Sequence, residues 1–150
     1  MSVSVFRILS FVFVFSLLST VSCKDKEGCT NPNAINYDSD AEKEDGSCKA
    51  NGSLMFWIDD ITFGNLYNDL SVQQLNFYID GKLEGTQNVT VFSENEPACE
   101  TSFTYSREVP LSGGKWVDYK VLDEDDNEIW NDEVVIPADQ CNKLQLVYIP

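Results

Sequence analysis

The sequence predicts an all-β protein whose main domain is an antiparallel β-sandwich, preceded by a signal peptide and a small disulfide-stapled segment. Three observations predict it. From Ser53 onward, apolar and polar residues alternate at period 2, the mark of strands with one buried face. Turn signals recur between these runs, and no window of about a dozen residues carries an apolar i, i+3, i+4, i+7 stripe. Four cysteines beyond the N-terminal apolar run bracket two segments of different composition.

The strands follow in order. Leu54, Phe56 and Ile58 alternate with Met55 and Trp57. Leu75, Phe77 and Ile79 alternate with Asn76 and Tyr78, and Asp80-Gly81, the strongest short hairpin signal, turns the chain into Lys82 to Thr86. Phe103, Tyr105, Arg107 and Val109 alternate with Thr104, Ser106 and Glu108. Leu111 to Trp116 turns into Val117, Tyr119 and Val121; Asp123 to Glu128 turns into Ile129 to Ile136; Leu144, Leu146 and Tyr148 close the chain. Some seven short strands with regular turns make a sandwich over residues 53–150. Its length supports one small core, with Trp57, Trp116 and Trp130 available as bulky filling.

At the other end, Arg7 is the only charge before Lys24, and Ile8 to Val21 is a mostly apolar run. As a helix this run reaches about 21 Å, short of the ~30 Å hydrocarbon core. A charged start, a short apolar stretch and small residues before a cut site describe a secretory signal peptide over residues 1–22. The competing reading is a membrane-spanning anchor, which needs Val3 to Ser22 with Arg7 included. Thr20-Val21-Ser22-Cys23 resembles the lipobox of bacterial lipoproteins, with Thr20 departing from the usual leucine. The resemblance implies that Cys23 becomes a diacylglycerol-modified N-terminus, usually with a further acyl chain on its amine. Two or more chains hold a protein durably to a membrane where one is marginal. The charged tether of residues 23–27, with Lys24-Asp25-Lys26-Glu27, resembles the export signal of Bacteroidetes-type surface lipoproteins and reads equally as a solvated spacer. The expected location is the outer membrane, lipid-anchored and facing the cell surface.

Removing Cys23 leaves four cysteines in an exported chain, where thiols oxidise. Four cysteines allow three pairings. Cys29 with Cys48 and Cys99 with Cys141 is the expected set, because each pair brackets one compositional segment. The closed loops of about 20 and about 43 residues correspond to roughly 3 and 4 kcal/mol in the chain-entropy model. Zinc is the rival use of four cysteines, but there is no CxxC spacing and no histidine.

Residues 28–48 are rich in Asn, Asp, Gly and Ser and offer almost no core. Thr30-Asn31-Pro32 and Asp45-Gly46-Ser47 are turn signals. The segment resembles a module of secreted Bacteroidetes proteins with the form GCTxPxAxNYxxxAxxxDGSC. Gly28, Cys29, Thr30, Pro32, Ala34, Asn36, Tyr37, Ala41, Asp45, Gly46, Ser47 and Cys48 meet every fixed position. The resemblance implies a small extracellular structural unit without catalysis. Asp38, Asp40 and Asp45, with Glu42 and Glu44, also suggest a weak calcium site. An EF-hand starting at Asp38 is excluded, since Lys43 and Lys49 stand at its glycine and final glutamate positions. A solvated acidic loop is the alternative, and no other cofactor is expected.

Leu54 to Trp57, Tyr78 to Lys82 with Gly85, Cys99, Gly113 to Trp116, Trp130 and Cys141 resemble a small β-sandwich common in exported Bacteroidetes lipoproteins. That resemblance implies an immunoglobulin-like or transthyretin-like architecture rather than an activity. The net charge is −15, and −16 once Arg7 leaves with the signal peptide, so a nucleic-acid partner is excluded. Without histidine there is no Ser-His-Asp or Cys-His nucleophile, and phosphate-binding loops are absent. Carboxylate-only chemistry such as glycoside hydrolysis survives this filter, with Asp59, Asp60, Glu94 and Glu96 as candidates. A hundred-residue sandwich offers little concavity for it, and the chain is expected not to be an enzyme. The expected function is a lipid-anchored interaction, adhesion or structural module. The alternative is a glycan-binding accessory in which Trp57, Tyr78 and Trp130 stack on sugar rings from an outer face.

Overall fold

The structure, a computed structural model, describes residues 24–150; Cys23 and the apolar leader lie outside the described residues. The chain is the expected all-β sandwich. A minimal parallel pair, β1 (Glu27–Gly28) with β2 (Lys43–Glu44), belongs to the N-terminal module. β3 (Lys49–Trp57) is the centre of a three-stranded sheet, flanked by β6 (Thr104–Pro110) and β9 (Cys141–Gln145). β4 (Gln74–Ile79), β5 (Lys82–Asn88), β7 (Lys115–Leu122) and β8 (Glu128–Ile136) form the second sheet in the order β5-β4-β7-β8. Among the described residues no helix is long and apolar enough to cross a membrane.

Three features depart from the period-2 reading. First, β9 pairs parallel to β3, while the other sandwich ladders are antiparallel. The cause is the turn after β8. It delivers the chain to the end where β3 starts, with Asp139 N–H donating to Asn51 O at 2.7 Å and Ser53 N–H to Gln140 O at 3.0 Å. Second, β3 begins at Lys49, directly after Cys48, so the sandwich starts four residues before Ser53 and no linker separates it from the module. Third, the crossing between sheets is helical: one α-turn over Asp60–Gly64 runs into a π-turn over Asn65–Asp69. Asp59 caps it by accepting from Thr62 N–H at 2.7 Å, and Leu66 plugs the end of the core. Ten residues with only Thr62 and Leu66 fully buried are too few to print a helical stripe.

Leu75, Phe77 and Ile79 face Val117, Tyr119 and Val121 across the second sheet, and together they meet Leu54 and Phe56 of the first. Aromatic rings join the layers. Phe56 lies 5.2 Å from both Phe77 and Tyr119, and Phe103 stacks on Phe77 at 4.3 Å. Phe103 fits because β5 carries Gly85, where any Cβ would collide with the Phe103 ring. Gly85→Ala should therefore push Phe103 off Phe77 and cost about 1–3 kcal/mol, read as a lower urea midpoint at unchanged m-value.

The β4–β5 hairpin turns on Asp80 (φ 49°) and Gly81 (φ 77°), the two positive-φ positions of a type I′ turn. The Asp80 carboxylate also ties both sheets together. It meets Arg107 of β6 at 3.1 Å and Lys115 of β7 at 3.4 Å, and it accepts from Asp118 N–H at 3.3 Å. Desolvation pushes the carboxyl up, but the hydrogen bonds from Arg107, the Asp118 amide and Lys115 outweigh it and hold Asp80 below its usual value. A depressed carboxylate contributes stability that is present at neutral pH and lost as pH falls through the ordinary aspartate range toward the lower folded value. Asp80→Asn keeps a residue that tolerates positive φ and removes only the charge. It should lower the urea midpoint at neutral pH, and the gap to the parent should narrow at about pH 3.

Candidate functional site

In the N-terminal module Asp38, Glu44 and Asp45 have partners within or next to the segment. Asp38 pairs with Lys26 at 2.8 Å and accepts from Asp40 N–H at 3.0 Å. Glu44 accepts from Thr30 N–H at 2.8 Å, Thr30 Oγ1 at 2.9 Å and Gly46 N–H at 2.9 Å; Asp45 accepts from Ser47 N–H at 2.8 Å. The Lys26 hydrogen bond, seconded by the Asp40 amide, holds Asp38 below the usual aspartate value. The Thr30 amide and hydroxyl and the Gly46 amide do the same for Glu44. Of the three carboxylates expected to hold calcium, Asp38 and Asp40 both meet Lys26, at 2.8 and 3.7 Å, and Asp45 closes its turn on the Ser47 amide. Among the described residues the one cluster of three potential ligand groups is Cys29, Glu44 and Cys48, and there the two sulfurs are joined in a disulfide. Spacing along the chain shows the density of carboxylate oxygens here but not the Lys26 that meets two of them.

Both expected disulfides are present. Cys29–Cys48 closes the module with Cα atoms 4.8 Å apart, and Cys99–Cys141 joins the loop before β6 to the start of β9 at 6.5 Å.

The three aromatics expected to share an outer face do not share one. Trp130 leans on the core, and its indole N–H donates to Val147 O at 2.9 Å. Tyr78 alone points outward from the four-stranded sheet, opposite Lys120. It borders a depression of about 510 Å³ with Asp118, Lys120, Leu122 and Asn131. Trp116, read as core filling, is 66% exposed on that same outer face, because Val117, Tyr119 and Val121 take the inward positions of β7. The alternation of β7 already carried that signal.

Trp57 is buried at 8% exposure, on the side of β3 away from the core. What covers it is residues 91–102, a loop without strand or helix laid across the outer face of the three-stranded sheet. The loop is held along its whole length. Ser93 N–H donates to Ile58 O at 3.0 Å, Glu96 pairs with Lys143 at 2.7 Å, Cys99 is bonded to Cys141, and Ser102 Oγ donates to Phe56 O at 2.6 Å. Between loop and strand lies a cleft of about 240 Å³ whose inner wall is Trp57 and whose rim is Val91, Phe92 and Pro97. The hydroxyls of Ser93, Thr101 and Ser102 complete the lining. Alternation alone cannot show this site, since the residues that cover Trp57 carry no strand pattern.

The carboxylates considered for hydrolysis are structural or solvated. Asp59 caps the helical turn and accepts from Gln145 Nε2 at 3.0 Å, Glu96 holds Lys143, and Asp60 and Glu94 are exposed. No family model, curated relative or solved structure matches the chain.

If Cys99–Cys141 pins the loop, replacing both cysteines by serine should cost up to about 4 kcal/mol on the chain-entropy scale. It should also shift tryptophan emission to the red as Trp57 meets water. The Cys29→Ser, Cys48→Ser pair should leave the emission unmoved, and that contrast checks the assignment.

Proposed function

We propose that the protein is a lipid-anchored component of the outer membrane surface that works as a non-catalytic interaction module. The observation that carries this reading is the cysteine account. Two disulfides consume Cys29, Cys48, Cys99 and Cys141, and the fifth cysteine stands at the end of the apolar run, behind Ser22. A thiol at that position suits acylation. Cys23 precedes β1 by four residues, a reach of no more than about 14 Å at ~3.3–3.6 Å per residue. An anchor there holds the module close to the bilayer and presents the sandwich beyond it.

The interaction reading rests on chemistry as well as on the anchor. The chain lacks histidine, its candidate carboxylates are a helix cap (Asp59), an ion pair (Glu96) and two exposed side chains (Asp60 and Glu94), and a net charge of −16 from Cys23 onward disfavours anionic partners. Within this class, a glycan-binding accessory role is favoured over a purely structural one by the uncharged cleft at Trp57.

The test is fractionation. Cys23→Ala should move the protein from the membrane pellet to the soluble fraction, and metabolic labelling with a fatty acid should be lost with it. A variant that still pelleted at high salt would place the tether elsewhere.

A further inference from the structure

We propose that the cleft between Trp57 and the 91–102 loop is a binding site for a single neutral sugar ring, such as the terminal pyranose of a glycan. The inference deepens the reading of the chain as a binding module and names the site and the ligand class.

Four properties of the cleft select that class. The first is an unmatched donor. Trp57 is more than nine-tenths buried, and its indole N–H has no acceptor among the described residues. A buried donor without a partner is held at a cost of ~1–3 kcal/mol, and because the nitrogen itself is closed off from solvent, a ligand oxygen recovers that cost by a small shift of the 91–102 loop that opens the N–H to the cleft. The second is a set of spare acceptors. Ser93 Oγ donates to Asn95 O at 2.7 Å, Thr101 Oγ1 to Ala98 O at 2.6 Å and Ser102 Oγ to Phe56 O at 2.6 Å. With their protons so committed, the three hydroxyls offer a ligand lone pairs rather than donors. The complementary molecule therefore accepts one hydrogen bond and donates several, as a polyhydroxylated ring does.

The third property is neutrality. No ionisable side chain lines the cleft, and the nearby Lys143 is paired with Glu96. Charged ligands gain nothing there, and anions are repelled by the protein as a whole. The fourth is shape. Val91, Phe92 and Pro97 make an apolar rim; Phe92 is 43% exposed and backed by Phe63, stacked at 4.6 Å, so it stands as a firm surface for the C–H face of a ring. An apolar cavity of ~150 Å³ holds benzene, so about 240 Å³ takes one substituted six-membered ring and no more. A proline-containing peptide would also fill the apolar part, and its backbone N–H groups are donors, but these are spread along an extended chain, whereas a pyranose carries several hydroxyl donors on one ring; N-acetylprolinamide tests that difference. The loop is fixed at Ile58, Phe56, Lys143 and Cys141, so the walls of the cleft are formed before a ligand arrives and only the exposure of the Trp57 N–H remains to be made on binding.

The experiment is an indole N–H NMR titration of the purified protein, which has three tryptophans. Methyl glycosides of glucose, galactose, mannose and N-acetylglucosamine are the probes, with galacturonate and N-acetylprolinamide as comparisons. The Trp57 resonance, assigned by its loss in Trp57→Phe, should shift saturably with at least one methyl glycoside and stay in place with galacturonate. Trp57→Phe removes the unmatched N–H together with the pyrrole part of a buried indole, so it should stay folded but melt somewhat lower than the parent, while binding that glycoside at least tenfold more weakly by calorimetry. Phe92→Ala, at an exposed position, provides a second variant with the same expected loss. Silence of the Trp57 resonance toward all four glycosides overturns the proposal. A shift confined to Trp116 overturns it by moving the sugar to the other sheet, and a response to N-acetylprolinamide alone overturns the ligand class. None of these results bears on membrane partitioning of Cys23→Ala, so failure of the sugar site and failure of the anchor are separable.

Discussion

The constraint on which the structure depends is that β3 is buried on both of its faces. Leu54 and Phe56 point into the sandwich, and Met55 and Trp57 point the other way, yet all four are within 8% of full burial. Each large apolar side chain contributes roughly 1.5–3 kcal/mol when removed from water, so leaving Met55 and Trp57 bare would forfeit a sum comparable to the net stability of a small domain. A three-stranded sheet has no further layer to offer. The chain supplies one from an irregular loop, and an irregular loop lies flat only if it is tied. Hence the Cys99–Cys141 bridge, the Glu96–Lys143 ion pair and the hydrogen bonds to Ile58 and Phe56 all fall within one twelve-residue stretch. The cleft at Trp57 is the space that remains where a pinned loop cannot interdigitate as closely as a sheet.

The N-terminal module shares the same strand. Cys48 is followed at once by Lys49, whose N–H donates to Asn36 Oδ1 at 2.7 Å while its carbonyl accepts from Ile35 N–H at 3.0 Å. Leu111 N–H donates to Cys48 O at 2.9 Å, so the turn between β6 and β7 also grips the module. The module's sequence signature becomes physical here. Asn36 bridges Ser47 O and Lys49 N–H, Gly46 supplies φ +78°, Asp45 closes its own turn on Ser47, and Ala41 lies against Gly28 where little space is left. Twenty residues with almost no core hold a shape because Asn31, Asn36, Asp38, Glu44 and Asp45 each bond to backbone within the segment or at its border and one disulfide joins the ends.

Much of the sandwich was legible because it depends on local rules. Period 2 located the strands, Asp80-Gly81 marked its turn, and compositional segments sorted the cysteines into the pairs that form. What was not legible depends on where a strand goes after it leaves its own sequence neighbourhood. The parallel entry of β9 beside β3 is fixed by a turn at Asp139 and Gln140 and leaves no trace in the alternation of Leu144 and Leu146. Alternation assigns each side chain to a face but is silent on whether that face is covered. Trp116 and Trp57 both fall on outer faces; Trp116 stays in water and Trp57 is covered, and only the loop makes the difference. The cleft is a property of that loop, and so it could not be read from the strands that frame it.

The acidity of the chain follows from the same shortage of core. Asp123 accepts from Asp125 N–H at 2.9 Å and Asn127 N–H at 2.8 Å, shaping the β7–β8 turn, and Glu124 reaches across to Gln73 N–H at 3.0 Å and Gln74 N–H at 3.1 Å at the start of β4. Asp59 caps the helical crossing, Asp80 ties hairpin to sheet, and Glu44 and Asp45 fold the module. A carboxylate is the strongest acceptor available for orphaned backbone N–H groups, and where apolar contacts are few it is the cheapest means of fixing a turn. An acidic composition of this kind therefore reports how the loops are built before it reports any ligand. The same logic sharpens the contrast with the cleft at Trp57. In a chain that places a carboxylate at turn after turn, the recess at Trp57 stands out as lined only by neutral hydroxyl, aromatic and aliphatic groups, and a molecule entering it would have to be held without charge.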